Sequence, residues 1–198
     1  MVPRLYLAST SRYRALLLER LGIPFSIEAP GVEESHQDGE EPPARALRLA
    51  RAKANAVLER HPGSWVIGSD QVAVAGRQLL DKPGDAGRCR QQLRASRGRS
   101  VHFHTAVVLL GADPGPAREH VDRTVVRFRK LTEREIARYV EIEKPFDCAG
   151  GFRSEGLGVA LMKSIKSQDP TALVGLPLIW LAAALASAGL DPLAPDQS

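Results

Sequence analysis

Asp70 and Gln71 close the apolar run Val66-Ile67-Gly68-Ser69. In an open α/β sheet, ligands collect beyond the carboxyl ends of strands, so an acid at such an end is placed to meet substrate or metal. The same residue types make ordinary turns after buried strands, so the segment gains meaning only from its company. Leu5-Tyr6-Leu7-Ala8, then Ser9-Thr10-Ser11-Arg12-Tyr13-Arg14 and Leu16, Leu17, Leu18 and Leu21, reads as strand, turn and helix. The hydroxyls of Ser9, Thr10 and Ser11 can cap that helix, and its free N–H groups suit a phosphate. A helix N-terminus contributes only about 0.3–1 kcal/mol toward an exposed anion, so Arg12 and Arg14 must supply much of any tight grip. The plain alternative is a serine cap with two solvated arginines. The glycines and the Gly-Lys-Ser/Thr ending of a P-loop are absent.

Acids and lysines recur at the ends of successive elements: Val32-Glu33-Glu34, then Lys53 on a helix with Arg45, Arg48 and Arg51, then Asp81-Lys82-Pro83. Glu33 and Asp70 can share a hard divalent cation, Mg2+ or Mn2+, that bridges phosphate oxygens, while Lys53 and Lys82 neutralise the remaining charge. The combination suits phosphoryl chemistry. His102 and His104 alternate on one strand face, but two such residues without a third are better read as polar side chains on a half-exposed strand than as metal ligands.

Taken together, Ser9-Thr10-Ser11 with Arg14, Glu33-Glu34, Lys53 in Arg48-Leu49-Ala50-Arg51-Ala52-Lys53-Ala54, Gly68-Ser69-Asp70-Gln71-Val72, Lys82-Pro83, Cys148-Ala149-Gly150, Ser154-Glu155-Gly156 and Leu173-Val174-Gly175-Leu176-Pro177 resemble the Maf nucleoside triphosphate pyrophosphatases. The resemblance runs from Leu5 to about Leu193 in the family's order. Ser69-Asp70-Gln71 and Ser154-Glu155-Gly156 are most similar to the subfamily acting on 7-methylguanosine triphosphate. It implies hydrolysis between the α and β phosphates, giving a nucleoside monophosphate and pyrophosphate. It also implies Asp70 as proton acceptor, Tyr13, Gln71 and Glu155 as setters of base preference, and Ser9, Ser11, Arg14, Glu33, Lys53 and Lys82 as polar residues around the triphosphate. The implied fold is the elongated mixed-sheet fold of the inosine triphosphate pyrophosphatases, frequently a homodimer.

The charge of the implied base favours the same residues, because 7-methylguanine is positively charged on its imidazole ring. Tyr13 can stack on it with a cation–π attraction of about 0.5–2 kcal/mol, and Glu155 can accept from the N1–H and N2–H₂ edge. The bland alternatives are a first-turn aromatic packed on its own helix and a solvated loop acid. Two residues depart from the family pattern: Arg12 stands where Pro is usual, and Tyr13 where the subfamily has Trp, the stronger cation–π partner. The mechanism expected is attack on the α-phosphorus by a water that Asp70 orients or deprotonates, with Asp70 as base, metal ligand or both. The alternatives are the same reaction on dTTP, UTP or another modified nucleotide, and a nucleotide-binding regulator of septum formation.

The composition agrees with an enzyme of this kind. The chain has 198 residues, 43% of them hydrophobic, enough for one substantial core. A formal charge of +4 suits an anionic partner such as a triphosphate. Nucleic acid is disfavoured because the cations are scattered, aromatic residues are only 5% of the chain, and no zinc-finger or aromatic RNA-binding signature occurs. Cys89 and Cys148 form no CxxC pair, which fits a reducing cytoplasm and neither a disulfide framework nor a zinc site. The N-terminus lacks a signal peptide's apolar core, and Leu176 to Leu190 is too short and too rich in Ala, Gly and Pro to span a bilayer.

The expected order is strand 4–8, helix 11–21, strand 24–28, helix 42–60, strand 64–69, short strands about 72–80 and helix 85–95. A long hairpin follows, Ser100–Leu110 and about Glu119–Lys130, turning through Gly111 to Pro116. Then come a helix from Thr132, with Glu135 completing a capping box, a glycine-rich loop 147–158 carrying Glu155, and a closing helix 177–189. Strands interleaved with helices plus a hairpin imply an α/β fold with a mixed twisted sheet and flanking helices. One domain is expected over 1–190, with two lobes around a cleft and a frayed tail at 191–198.

Overall fold

The computed structural model describes residues 4–111 and 117–194. Among the described residues its sheet has seven strands, β1 (Leu5–Ala8), β2 (Ser26–Glu28), β3 (Trp65–Ala75), β4 (Gln78–Leu79), β5 (Ser100–Leu110), β6 (Arg118–Phe128) and β7 (Met162–Lys166), in the order β2-β1-β3-β5-β6-β7, with β4 paired to β3 alone. Parallel β1–β2 and β1–β3 pairs combine with antiparallel β3–β4 and β6–β7 pairs, so the sheet is mixed as expected.

The chain divides into two units, the first comprising residues 1–70, 105–121 and 169–198, the second 71–104 and 122–168. In the first, β1 (Leu5–Ala8) leads into α1 (Arg12–Glu19), followed by β2 (Ser26–Glu28) and α2 (Pro42–Arg60). Ser11 caps α1 by accepting from the Arg14 amide. Pro42 and Pro43 open α2, where missing N–H groups cost nothing. The buried face of α2 is Ala46, Leu49, Ala50, Ala54 and Val57, a helical stripe into which Arg45 and Lys53 also fall. Leu5, Leu7, Leu17, Leu18, Trp65, Ile67, Val107 and Leu109 form the core with Leu181 and Leu185 of α5 (Leu178–Ser187). No helix among the described residues is long and apolar enough to cross a membrane.

The second unit contains β4 (Gln78–Leu79), α3 (Ala86–Ser96), α4 (Glu133–Glu143) and β7 (Met162–Lys166). Phe152 meets the rings of Phe103 and Phe128 edge-on, at 5.5 and 5.4 Å, in a favoured aromatic geometry. Thr132 and Glu135 form the expected capping box. The loop carrying Glu155 is held by Glu143, whose Oε2 accepts from the Leu157 amide at 2.7 Å and whose Oε1 pairs with Arg153 at 3.2 Å.

Three long strands, β3 (Trp65–Ala75), β5 (Ser100–Leu110) and β6 (Arg118–Phe128), pass from one unit to the other. Here one expectation is corrected. The strand bearing Asp70 does not stop there but runs unbroken to Ala75, so no separate strand begins at 72. It is β1 that stops: its last pair is Ala8 with Gly68, two residues before Asp70. The small residues Gly68 and Ser69 resemble turn formers, yet both are buried where α2 and the loop near Gly175 close on the strand. A second correction is β7, absent from the expected order. It pairs antiparallel with β6, Ile165 opposite Val126. Its Met-Lys-Ser-Ile-Lys sequence is largely exposed and shows little apolar alternation. Most of the expected turn, Ala112 to Pro116, lies outside the described residues, as do the last four residues of the tail.

Candidate active site

Asp70 sits on β3 with its side chain 9% exposed, and its Oδ1 accepts from Lys53 Nζ at 2.6 Å. The neighbour that allows this is Gly68. A Cβ there would lie 2.2 Å from the Ala50 carbonyl and 2.8 Å from the Ala54 Cβ, so α2 rests directly on the β3 backbone. Lys53, between those two alanines on the helix, is thereby delivered to the acid. The same ammonium also meets Glu34 Oε1 at 2.6 Å. Lys53 thus bridges two carboxylates and leaves Asp70 Oδ2 without a hydrogen bond among the described residues.

The β1–α1 turn adds the complementary charge. Ser9 Oγ accepts from the Ser11 amide at 3.1 Å and from Arg14 Nη1 at 3.4 Å. Arg14 Nε donates to the Gly175 carbonyl at 3.0 Å. Burial lowers the Arg14 guanidinium from its ordinary range, while the carboxylates of Asp70 and Glu34 pull it back upward. A guanidinium keeps its charge even so, and a half-buried one near two acids can anchor a phosphate oxygen. The hydroxyl of Ser69, fully buried, lies 2.8 Å from the Ala106 carbonyl and 2.9 Å from the Gly175 carbonyl, which compete for or share its single proton.

The structure therefore gathers Ser9, Ser11, Arg14, Lys53 and Asp70 in the first unit. Glu33 is exposed on the segment between β2 and α2, and Glu34 beside it is the carboxylate that reaches Lys53. That segment has no regular period, so nothing in the sequence distinguishes the two acids. Tyr13 is half-buried, with the Arg12 guanidinium 4.9 Å over its ring and an Arg12 nitrogen 2.9 Å from its hydroxyl. The two departures from the family pattern thus touch one another. Gln71, Lys82 and Glu155 belong to the second unit. Lys82 and Glu155 are exposed there, and Glu155 accepts from Ser154 at 2.7 Å.

No group of three or more His, Cys, Asp or Glu side chains able to hold a metal ion occurs among the described residues. Mg2+ is commonly held by one or two carboxylates together with substrate phosphates, and the Asp70–Glu34 pair meets that lesser demand. His102 and His104 share a face of β5, and burial, then the Arg123 charge, depresses both imidazoles.

The first unit thus sets a buried carboxylate–lysine pair, Asp70 with Lys53, beside the arginine-bearing β1–α1 turn of a mixed-sheet α/β protein. The model for Maf-like proteins matches residues 4–188, and the chain belongs to the Maf family. Relatives named 7-methyl-GTP pyrophosphatase include one from Xanthomonas oryzae pv. oryzae, 55% identical over 96% of this chain and 98% of that protein. Another, from Bordetella avium, is 52% identical over 96% of each chain. The solved structure of the Staphylococcus aureus Ham1 protein superposes with a TM-score of 0.54, covering 93% of this chain and 99% of that one at 12% identity, a likeness of fold.

Proposed function

We propose that the protein is a nucleoside triphosphate pyrophosphatase that hydrolyses 7-methyl-GTP to 7-methyl-GMP and pyrophosphate. The observation that carries the chemistry is the buried Asp70–Lys53 pair, which fixes one carboxylate oxygen and leaves the other for water. The substrate is supported by relatives of that name at 50–55% identity over nearly the whole chain.

In this reading Arg14, Ser9 and Ser11 hold triphosphate oxygens, and Lys82 contributes further positive charge. Asp70 Oδ2 takes a proton from water as the water oxygen bonds to the α-phosphorus. The bond from that phosphorus to the bridging oxygen breaks, and the electron pair leaves on pyrophosphate. Lys53 holds the Asp70 carboxylate in the required direction. A divalent cation, Mg2+ or Mn2+, supplies neutralisation of the triphosphate charge, with Asp70 and its acidic neighbours Glu33 and Glu34 as candidate holders. Tyr13 presents a ring to the charged base, and Gln71 and Glu155 supply hydrogen-bonding groups for its edge. A homodimer, no nucleic-acid partner and a cytoplasmic location belong to the same proposal, open to sedimentation, binding and fractionation measurements.

The test is pyrophosphate release from 7-methyl-GTP, GTP, dTTP, UTP and CTP with Mg2+ or Mn2+. We expect 7-methyl-GTP to be preferred and Asp70→Asn to lose about 10²–10⁴ in rate. Near-full turnover by Asp70→Asn would refute the mechanism. A pyrimidine preference would overturn the assignment of the base.

A further inference from the structure

Arg14 and Ser69 share one acceptor, the carbonyl of Gly175, and what holds that carbonyl in place is not part of the site described above. Gly175 has φ +126°, a conformation that favours glycine, and a Cβ there would lie 3.4 Å from Arg14 Nε. The segment around it is tied at both ends by Asp169. This carboxylate, 4% exposed, accepts from the Thr171 amide at 2.8 Å and hydroxyl at 2.6 Å through Oδ1, and from the Ile179 amide at 2.7 Å through Oδ2. Thr171 Oγ1 also lies 2.8 Å from the Leu176 carbonyl and accepts from the Leu178 amide at 2.9 Å. Thr105 of β5 fixes the middle of the segment by donating to the Ala172 carbonyl at 2.9 Å.

We propose that Asp169 is a positioning residue for the anion site: through Thr171 and the loop it closes, it aims the Gly175 carbonyl, which in turn sets the Arg14 guanidinium against Ser9. Arg14 has a flexible stem, and its Nε–H to Gly175 is the bond that fixes the plane of the fork. With that acceptor displaced, the guanidinium keeps its charge but loses its direction, and bidentate recognition of phosphate depends on direction. The Ser69 hydroxyl, bonded to the same carbonyl, ties the strand residue preceding Asp70 to the same reference point. One buried carboxylate thus sets the orientation of the cation and the anchoring of the strand that bears the acid.

This inference rests on the proposed role of Arg14 in holding triphosphate, and the experiment separates the two. Asp169→Asn, Arg14→Ala and the double variant are assayed for kcat and KM on 7-methyl-GTP, and for affinity toward inorganic triphosphate by calorimetry. Asp169→Asn retains one acceptor oxygen but cannot serve both ends, and we expect it to lower kcat/KM about tenfold, carried by KM, with triphosphate affinity falling in parallel. In the Arg14→Ala background the same change should cost less than about twofold, because the group it positions is gone. A merely structural role would weaken both backgrounds equally. Thr171→Val, which removes only the hydroxyl, serves the same cycle if Asp169→Asn folds poorly, and Thr171→Ser should restore the parent values. An unimpaired Arg14→Ala would overturn the reading of the anion site and this inference with it. An impaired Arg14→Ala beside an unimpaired Asp169→Asn, or equal losses in the two backgrounds, would overturn the inference alone.

Discussion

Replacing Gly68 by Ala should injure stability and catalysis together, and the reason lies in one contact. The backbone at Gly68 is ordinary, so alanine brings no torsional strain, only a methyl group. That methyl would stand 2.2 Å from the Ala50 carbonyl and 2.9 Å from the Ala54 amide, against an ordinary contact of 3.4 Å or more. Neither neighbour is the free end of a flexible side chain, so α2 and β3 must part by about 1.2 Å. Overpacking of this kind costs about 1–3 kcal/mol. For a chain of this length that lowers Tm by roughly 2–12 °C in a thermal melt. Lys53 rides on the displaced turn, and the 2.6 Å link to Asp70 stretches unless the lysine stem bends to follow. A misplacement near 1 Å can cost about 10²-fold, so kcat/KM for pyrophosphate release should fall about 10–100-fold. The control is Gly63→Ala, at φ +85° with no atom within 4 Å, which loses stability through backbone strain alone and should keep its kcat/KM. If Gly68→Ala retains the parent Tm and activity, or loses stability only as the control does, the account of how α2 delivers Lys53 is wrong.

Arg12→Ala removes the cation lying over Tyr13; an exposed cation–π contact is worth about 0.5–1 kcal/mol, so the preference for 7-methyl-GTP over GTP should rise about two- to fivefold, and an unchanged ratio of kcat/KM values would show that the base does not meet that ring face. His102 and His104 have imidazoles depressed by burial, so the unfolded chain binds more protons below its ordinary pKa near 6.5. Stability is therefore full above that value and is lost as the pH falls through the folded pKa values. The pH dependence of Tm should flatten in His104→Gln, and an identical slope would argue against it. Burial pushes the Cys89 thiol up to about 11, whereas Cys148 is half-buried. A disulfide reagent at pH 8 should react quickly with one equivalent, lost in Cys148→Ser and kept in Cys89→Ser.

Local signals carried much of the architecture. The stripe Ala46, Leu49, Ala50, Ala54 and Val57 and the paired prolines mark α2 at 42–60, where the structure has it. Thr132 and Glu135 announce the start of α4 by side-chain chemistry alone. Lys53 stood out in the sequence as one cation among Arg45, Arg48 and Arg51 and through the family resemblance, whereas its place on the buried side of α2 is seen only in the structure. What escaped depends on tertiary contact. Gly68-Ser69-Asp70 has the composition of a turn and becomes the middle of a strand because a helix backbone lies against the glycine. Glu33 and Glu34 are chemically identical, and only the fold chooses which meets Lys53. Asp169 resembles any turn acid before proline, and its grip on Ile179 spans ten residues that no local rule connects.

The boundary between the two units falls between Asp70 and Gln71, within a single strand. On the proposed assignment Asp70, Lys53 and Arg14 lie on the first side of that boundary together with Tyr13, while Lys82 and two of the three residues that choose among bases, Gln71 and Glu155, lie on the second. Substitutions that redirect selectivity can accumulate in the second unit while the acid, its lysine and its arginine stay fixed in the first. On the same assignment, base preference can be altered at Gln71 and Glu155 without touching the acid, lysine and arginine proposed to act on the phosphates.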